Sequence, residues 1–348
     1  MPPPSPILIA TPLEAELVGR IAAAAPGAEV LFDATLLPAT RYPSDHRGPP
    51  DWRRDAASEA RWRGLLGRAT VLYGVPRDTA AGLAAALPHA PLLRWVQATS
   101  AGAGEQVRGA NLAPEVLARV AFTSAAGVHG GMLAEFVFGG ILALRKDFRR
   151  LETVRAERAW PHFASGELAG STIAIVGLGS IGLTVARIAR GFEMRVLGVT
   201  RTGAPHTAAD EVYSTGRIGD AFATADAVVV TLPGTAATSS LVDGAALARL
   251  RPDAIFCNVG RGTVVDQHAL TQALQRGAIA GAVLDVFDPE PLPADDPLWT
   301  LENVVFSPHT MALSVHENER IVDLFCDNLG RFARGERLRN RIDTSEFY

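Results

Sequence analysis

Cysteine is scarce in this chain of 348 residues, which holds only Cys257 and Cys326. Two thiols without metal-ligand spacing make neither a metal site nor a disulfide framework. They read as buried core thiols in a reducing cytoplasm. No apolar run reaches the roughly 18 residues that a membrane span needs, and the longest candidate, Gly131–Leu144, carries Glu135 inside it. Positive charge is not in excess either. The formal net charge is −4, which argues against a nucleic-acid surface on the whole protein. The start, MPPPSPILIA, lacks a basic stretch followed by a long apolar one, so it does not read as a signal peptide. No Ser/Gly-rich linker divides the chain. Hydrophobic residues, by contrast, make up 48%, and the length suits two ordinary domains, each with its own core.

The stretch Ser171–Gly182, STIAIVGLGSIG, organises the rest. Thr172–Val176 is β-branched and apolar and predicts a strand. Gly177, Gly179 and Gly182 follow with G-x-G-x-x-G spacing, and Leu183–Ala189 has a helical pattern. Strand, glycine turn and helix make a nucleotide-binding unit. The first glycine allows the tight turn, the second removes a Cβ from the path of a pyrophosphate, and the third lets helix and strand pack closely. Free N–H groups at the helix start, over Ser180 and Ile181, face the phosphates. A plain αβ turn is the other reading of the same glycines.

Before this unit the chain predicts short buried strands at 6–10, 30–32, 71–73, 93–98 and 120–123, with helices between them. Residues 34–62 interrupt that rhythm with Pro, Arg, Asp, Trp52 and Trp62. They read as a solvated surface insertion with aromatic anchors, leading into a helix at 56–68. One long helix is predicted over 130–149, continuing in charged style to 159. Strands follow at 172–176, 195–199, 226–231, 254–259, 281–285 and 303–306, and a last helix spans 311–340. Strands alternating with helices imply parallel sheets covered on both faces. The predicted division is 1–124 plus 311–348 against 125–310, with a ligand cleft between the two.

Four stretches after the glycine turn carry candidate chemistry. At the end of the second strand, where an acid would hold the ribose of NAD, the chain has Thr200, Arg201 and Thr202. Hydroxyls and a guanidinium suit a 2′-phosphate, or Arg201 merely faces solvent. Asn258-Val259-Gly260-Arg261-Gly262 ends another strand, and its arginine fork suits a carboxylate, unless it is a turn arginine at the surface. Asp285 ends the next strand, and Glu290 lies between Pro289 and Pro291. Ser307-Pro308-His309-Thr310 ends the last. A carboxylate and a histidine at adjacent strand ends can pair, which favours the imidazolium and orients the ring.

These motifs, in this order, resemble the D-isomer-specific 2-hydroxyacid dehydrogenase family: G-L-G-S-I-G, N-V-G-R-G, L-D-V-F-D-P-E-P-L-P and S-P-H-T. Leu232-Pro233-Gly234-Thr235-Ala236-Ala237-Thr238 is similar to that family's L-P-x-T-x-x-T, although Gly234 replaces a bulkier residue. Ala101-Gly102 and Ala134-Glu135 also match. The resemblance runs from about residue 70 to the last helix and leaves the insertion outside. It implies an α/β protein of two doubly wound parallel-sheet domains, a Rossmann cofactor domain and a flavodoxin-like substrate domain. It implies a cytoplasmic homodimer that acts on a small 2-oxo acid, with no metal, nucleic acid or membrane partner. By the resemblance His309 is the acid/base, Glu290 its partner and Arg261 the clamp on the substrate. Asp285 would hold the nicotinamide carboxamide, with Leu232, Pro233, Thr238, Val259 and Gly260 also lining the dinucleotide. Backbone N–H groups near Gly74, Ala101 and Gly102 would hold the substrate carboxylate. The missing acid at Thr200 points to NADP(H) over NAD(H), as in the glyoxylate/hydroxypyruvate reductase branch. Formate dehydrogenases place Gln where Glu290 stands, and phosphoglycerate dehydrogenases add a regulatory domain that would follow Tyr348. A dinucleotide-sensing corepressor of the same fold stays open as the alternative.

Overall fold

The computed structural model describes residues 6–347, so readings that fall on Met1–Ser5 or Tyr348 lie outside the described residues. The described chain separates into two compact units, 6–129 with 313–347, and Gly130–Ala312.

The first unit is built on five parallel strands: β1 (Ile7–Ile9), β2 (Val30–Leu31), β3 (Val71–Tyr73), β4 (Trp95–Gln97) and β5 (Ala121–Thr123). Their order, β2-β1-β3-β4-β5, is that of the flavodoxin-like fold. It reverses direction between β1 and β3, the point at which such sheets bind ligands beyond the strands' carboxyl ends. One face is covered by the helix Glu317–Ala333, which buries Ile321, Val322, Phe325 and Leu329 against Ile7, Ile9, Val71, Tyr73 and Trp95. The Phe325 ring sits 5.0 Å from both the Tyr73 and the Trp95 rings. That helix is shorter than the 311–340 predicted. Residues 311–316 are held in turns, and Gly335 at φ +69° lies just past its end.

The segment after β2 is exposed along much of its length and anchored by Trp62, as its composition suggests, but it also sends residues into the core. Leu36, Leu37, Ser44, Asp45 and His46 are buried, and Trp62 is buried on the helix Ala56–Arg68. Asp45 organises it. Its carboxylate accepts from Arg41 Nε at 2.7 Å and from the N–H groups of Arg41, Arg47 and Gly48 at 3.0, 3.2 and 3.0 Å. Arg54 lies over the rings of Trp52 and Trp62, at 4.9 and 4.1 Å from their centres. Asp45, Arg41 and Arg54 in this stretch therefore bind each other, the backbone and the rings, and Leu36, Leu37 and Trp62 reach the core while Tyr42 stays exposed.

The second unit holds seven parallel strands: β6 (Thr172–Val176), β7 (Arg195–Thr200), β8 (Glu211–Ser214), β9 (Ala227–Val230), β10 (Ile255–Asn258), β11 (Gly281–Leu284) and β12 (Val304–Phe306). Their order is β12-β11-β10-β9-β6-β7-β8. This is the Rossmann arrangement, which reverses between β6 and β9. β9, β10 and β11 are buried throughout, as strands covered on both faces must be. β8 is a seventh strand beyond the six predicted, and it lies at the sheet edge with no fully buried residue to mark it. The long helix predicted over 130–149 is two helices, Gly130–Arg145 and Phe148–Glu157. Asp147 separates them at φ +51° and caps the second by accepting from Arg150 N at 3.1 Å. Cys257 is buried in β10, where burial pushes its thiol up; Cys326 is only half-buried.

Candidate active site

The glycine turn is shaped by contacts that only glycine permits. Gly177 sits at φ +100°, and a Cβ on Gly182 would lie 2.0 Å from the Gly177 carbonyl oxygen. A Cβ on Gly179 would meet nothing within 4 Å, so the space over the turn is open where a ligand's backbone would pass. Gly179 also starts the helix Ser180–Gly191, and no side chain caps it. Its first N–H groups keep their positive dipole end for an anion. These residues fit a dinucleotide pyrophosphate. The helix holds its place by burying Gly182, Val185, Ala186 and Ala189 along one face.

At the end of β7, Thr200 Oγ1 accepts from Gly203 N at 3.1 Å and Thr202 Oγ1 from Ala204 N at 3.3 Å. The turn leaves Arg201 exposed, with no carboxylate partner among the described residues. At the end of β9, Thr231 Oγ1 donates to Gly177 O at 2.8 Å. Thr238 Oγ1 donates to Pro233 O at 2.6 Å and accepts from Thr235 N at 2.9 Å, which closes the 232–238 loop.

Three further strand ends are tied into one framework. Asn258, buried at the end of β10, accepts from Gly260 N and donates to Arg261 O, both at 3.1 Å. Arg261 Nη1 donates to Gly260 O at 2.8 Å. A Cβ on Gly262 would sit 1.9 Å from Phe287 O, and one on Gly260 2.5 Å from Leu232 O. The Arg261 loop is therefore pressed against the loops on both sides. Past β11, Phe287 N donates to Glu290 Oε1 at 3.0 Å. Glu290 Oε2 in turn lies 2.8 Å from His309 Nδ1. Asp285 is buried and fixes the His309 loop. Its Oδ1 accepts from the Ser307 hydroxyl and from the N–H groups of Thr310 and Met311, the latter two at 3.1 and 3.2 Å.

With His309 Nδ1 on Glu290, Nε2 is the ring nitrogen left to carry and release a proton. His309 and Glu290 are each somewhat over one third exposed, 39% and 37%, so the pair can be reached. The structure thus sets Arg261, Glu290, His309 and Asp285 on loops past the carboxyl ends of three neighbouring parallel strands, β10, β11 and β12. Asn258, Thr231, Ser307 and Gly262 hold that arrangement, roles that the sequence motifs containing three of them do not reveal. A polar Asn ending an all-apolar strand was the available signal.

In the first unit Gly74 sits at φ +89°, packed on Thr11, and its N–H is already donated to Gln97 O at 2.8 Å. Gly74 itself is therefore not a free donor. The neighbouring N–H of Val75, and those of Ala101 and Gly102 after β4, have no partner among the described residues.

The family pattern "D-isomer specific 2-hydroxyacid dehydrogenase, NAD binding domain" matches residues 138–311. A glyoxylate reductase of Korarchaeum cryptofilum is 36% identical over 223 residues, 62% of this chain and 66% of that protein. A D-isomer specific 2-hydroxyacid dehydrogenase family protein from Aeromonas salmonicida is 30% identical, with a TM-score of 0.79 over 98% of this chain and 99% of that one. A D-isomer specific 2-hydroxyacid dehydrogenase from Xanthobacter autotrophicus, solved with NADPH and MES, is 26% identical with a TM-score of 0.76 over 99% of both chains.

Proposed function

The chain belongs to the D-isomer specific 2-hydroxyacid dehydrogenase family and is an NAD(P)-dependent oxidoreductase, and from that premise we propose that it reduces a small 2-oxo acid of the glyoxylate or hydroxypyruvate kind with NADP(H). The observation that carries this reading is the His309–Glu290 pair at 2.8 Å, on a loop fixed by Asp285 beside the Arg261 turn.

A nicotinamide dinucleotide held by these residues would supply the hydride for a carbonyl carbon. Gly177, Gly179, Gly182 and the helix start hold the pyrophosphate, and Arg201 with Thr200 takes the 2′-phosphate. Leu232, Pro233, Thr238, Val259, Gly260 and Asp285 line the remainder. His309 donates from Nε2 to the carbonyl oxygen as negative charge develops there, general acid catalysis worth roughly 10²–10⁴ in rate. Glu290 orients the ring through the 2.8 Å contact to Nδ1. Arg261 faces the same developing charge electrostatically. Within the first unit, Val75, Ala101 and Gly102 offer N–H groups of the kind that suits a carboxylate, with Gly74 shaping the turn that presents one of them. The open space over Gly179 and the exposed, carboxylate-free Arg201 support the cofactor assignment. Exposed Phe148, Leu151 and Trp160 support the homodimer, which sedimentation would test.

The deciding experiment is spectrophotometric. A panel of 2-oxo acids is mixed with NADPH or NADH and the absorbance of the reduced nicotinamide is followed. Glyoxylate or hydroxypyruvate should be turned over, and faster with NADPH. Dinucleotide binding without turnover of any 2-oxo acid would leave the corepressor reading standing instead.

A further inference from the structure

The end of the helix Glu317–Ala333 and the segment after it carry an open groove of about 440 Å³. It is lined by Arg331, Arg337, Arg339 and Arg341, with Leu338 and Asn340, and by no acid. The groove lies wholly within the first unit, and its backbone is fixed. Asn328, fully buried on the helix, accepts from Arg339 N at 2.8 Å. It donates to Arg339 O at 3.2 Å and to Gln97 Oε1 at 3.3 Å. Gly335 turns the chain at φ +69°. Ser124 N donates to Asn340 O at 3.0 Å and Ile342 N to Phe122 O at 2.8 Å, which seats the segment along β5 at the sheet edge.

The acids of this stretch do not balance its arginines. Residues 327–343 hold five arginines against Asp327, Glu336 and Asp343, an excess of two positive charges in a chain whose net charge is −4. Glu336 is taken by Arg334, whose Nε and Nη2 donate to it at 2.6 and 3.0 Å. Asp343 accepts from Ser345 N at 2.8 Å and from the Ser345 hydroxyl. Asp327 Oδ2 meets Arg331 Nε at 3.1 Å and Arg339 Nε at 2.8 Å, so one negative charge serves two guanidiniums. Arg337 and Arg341 are exposed, and neither guanidinium has an acid or another acceptor among the described residues.

We propose that this groove binds a small polyanion, a chain of two or more phosphate groups, either free or attached to a nucleoside. A concave surface lined by one sign of charge focuses its field on an approaching counter-ion. Guanidinium forks match phosphate oxygens two at a time, and the forks of Arg337 and Arg341 are both open. One oxyanion occupies one or two forks. Four arginines around a groove within the roughly 300–1,000 Å³ range of small-ligand sites suit a phosphate chain instead. None of these residues belongs to the proposed reductase machinery, so this reading stands apart from that one.

The test is titration calorimetry of the whole chain with inorganic tripolyphosphate, in the presence of saturating NADPH so that the glycine turn is filled. One site per chain should appear and weaken as salt is raised. Arg337→Gln and Arg341→Gln should each raise Kd about tenfold, and the double variant further still. The Tm of the ligand-free protein should not change, because neither side chain holds the fold. ATP in place of tripolyphosphate distinguishes the sources. Tighter binding of ATP that the double variant loses assigns the groove to a nucleotide, and equal or weaker binding assigns it to the phosphate chain alone. Absence of tripolyphosphate binding to the wild type, or binding that the double variant retains in full, overturns the site.

Discussion

His309 carries the chemistry through one nitrogen, and its substitution separates chemistry from binding. His309→Ala should lower kcat by two to four decades while dinucleotide affinity, measured by fluorescence titration, stays within about threefold. Wild-type turnover in this variant would remove His309 from the mechanism. Arg201 makes the converse case. Arg201→Ala should lower kcat/KM with NADPH about tenfold to a hundredfold and leave NADH nearly unchanged, because the contact exists only with the 2′-phosphate. Equal weakening of both cofactors would place Arg201 elsewhere on the dinucleotide. His309 was legible in the sequence because it follows a proline at the end of an apolar strand, and Arg201 because it stands at the end of the strand after the glycine turn, where an acid would hold the ribose of NAD. The residues that hold them were not. The backbone groups that bind Asn258 and Asp285, the Arg261 carbonyl and the Thr310 N–H, are brought close only by folding, as is the Gln97 carbonyl that takes the Gly74 N–H.

Among the elements, strands of continuous Val, Ile and Ala were readable because burial on both faces demands such runs. β8 was not, since Glu211–Ser214 lies half-exposed at an edge. The break at Asp147 was hidden because nothing in its local composition departs from a helix. In the loop after β2 the buried stretch Ser44–His46 was not readable, and Asp45 shows why. Burial alone would raise its carboxyl, but the hydrogen bonds from Arg41 and the backbone hold it well below the usual carboxylate range. A carboxyl depressed in the folded state contributes stability in full above its unfolded value of about 4, and loses it as pH falls below that. Asp45→Asn should therefore cost about 1–3 kcal/mol at pH 7. Urea unfolding should find the gap to wild type narrowing steadily below about pH 4. A gap that stays constant down to pH 2 would mean that shape, and not charge, holds this loop.

At the scale of the molecule, two hydrophobic clusters around Phe222 and Ile175 are built wholly from residues of the second unit. That unit is one uninterrupted stretch, Gly130–Ala312, whereas the first is assembled from two pieces. A fragment of residues 130–312 should fold cooperatively and bind NADPH, seen as a Tm that climbs with ligand concentration, yet turn over no 2-oxo acid. A fragment without a cooperative melt would show that its cores need the rest of the chain. The same continuity has a genetic consequence. Arg201 and the His309 loop lie inside the stretch; Val75, Ala101 and Gly102 lie outside it. Two recombination points, after His129 and after Ala312, would move redox-carrier choice and proton transfer between relatives as one cassette. The loops of the first unit would stay behind, so whatever they contribute can be inherited separately.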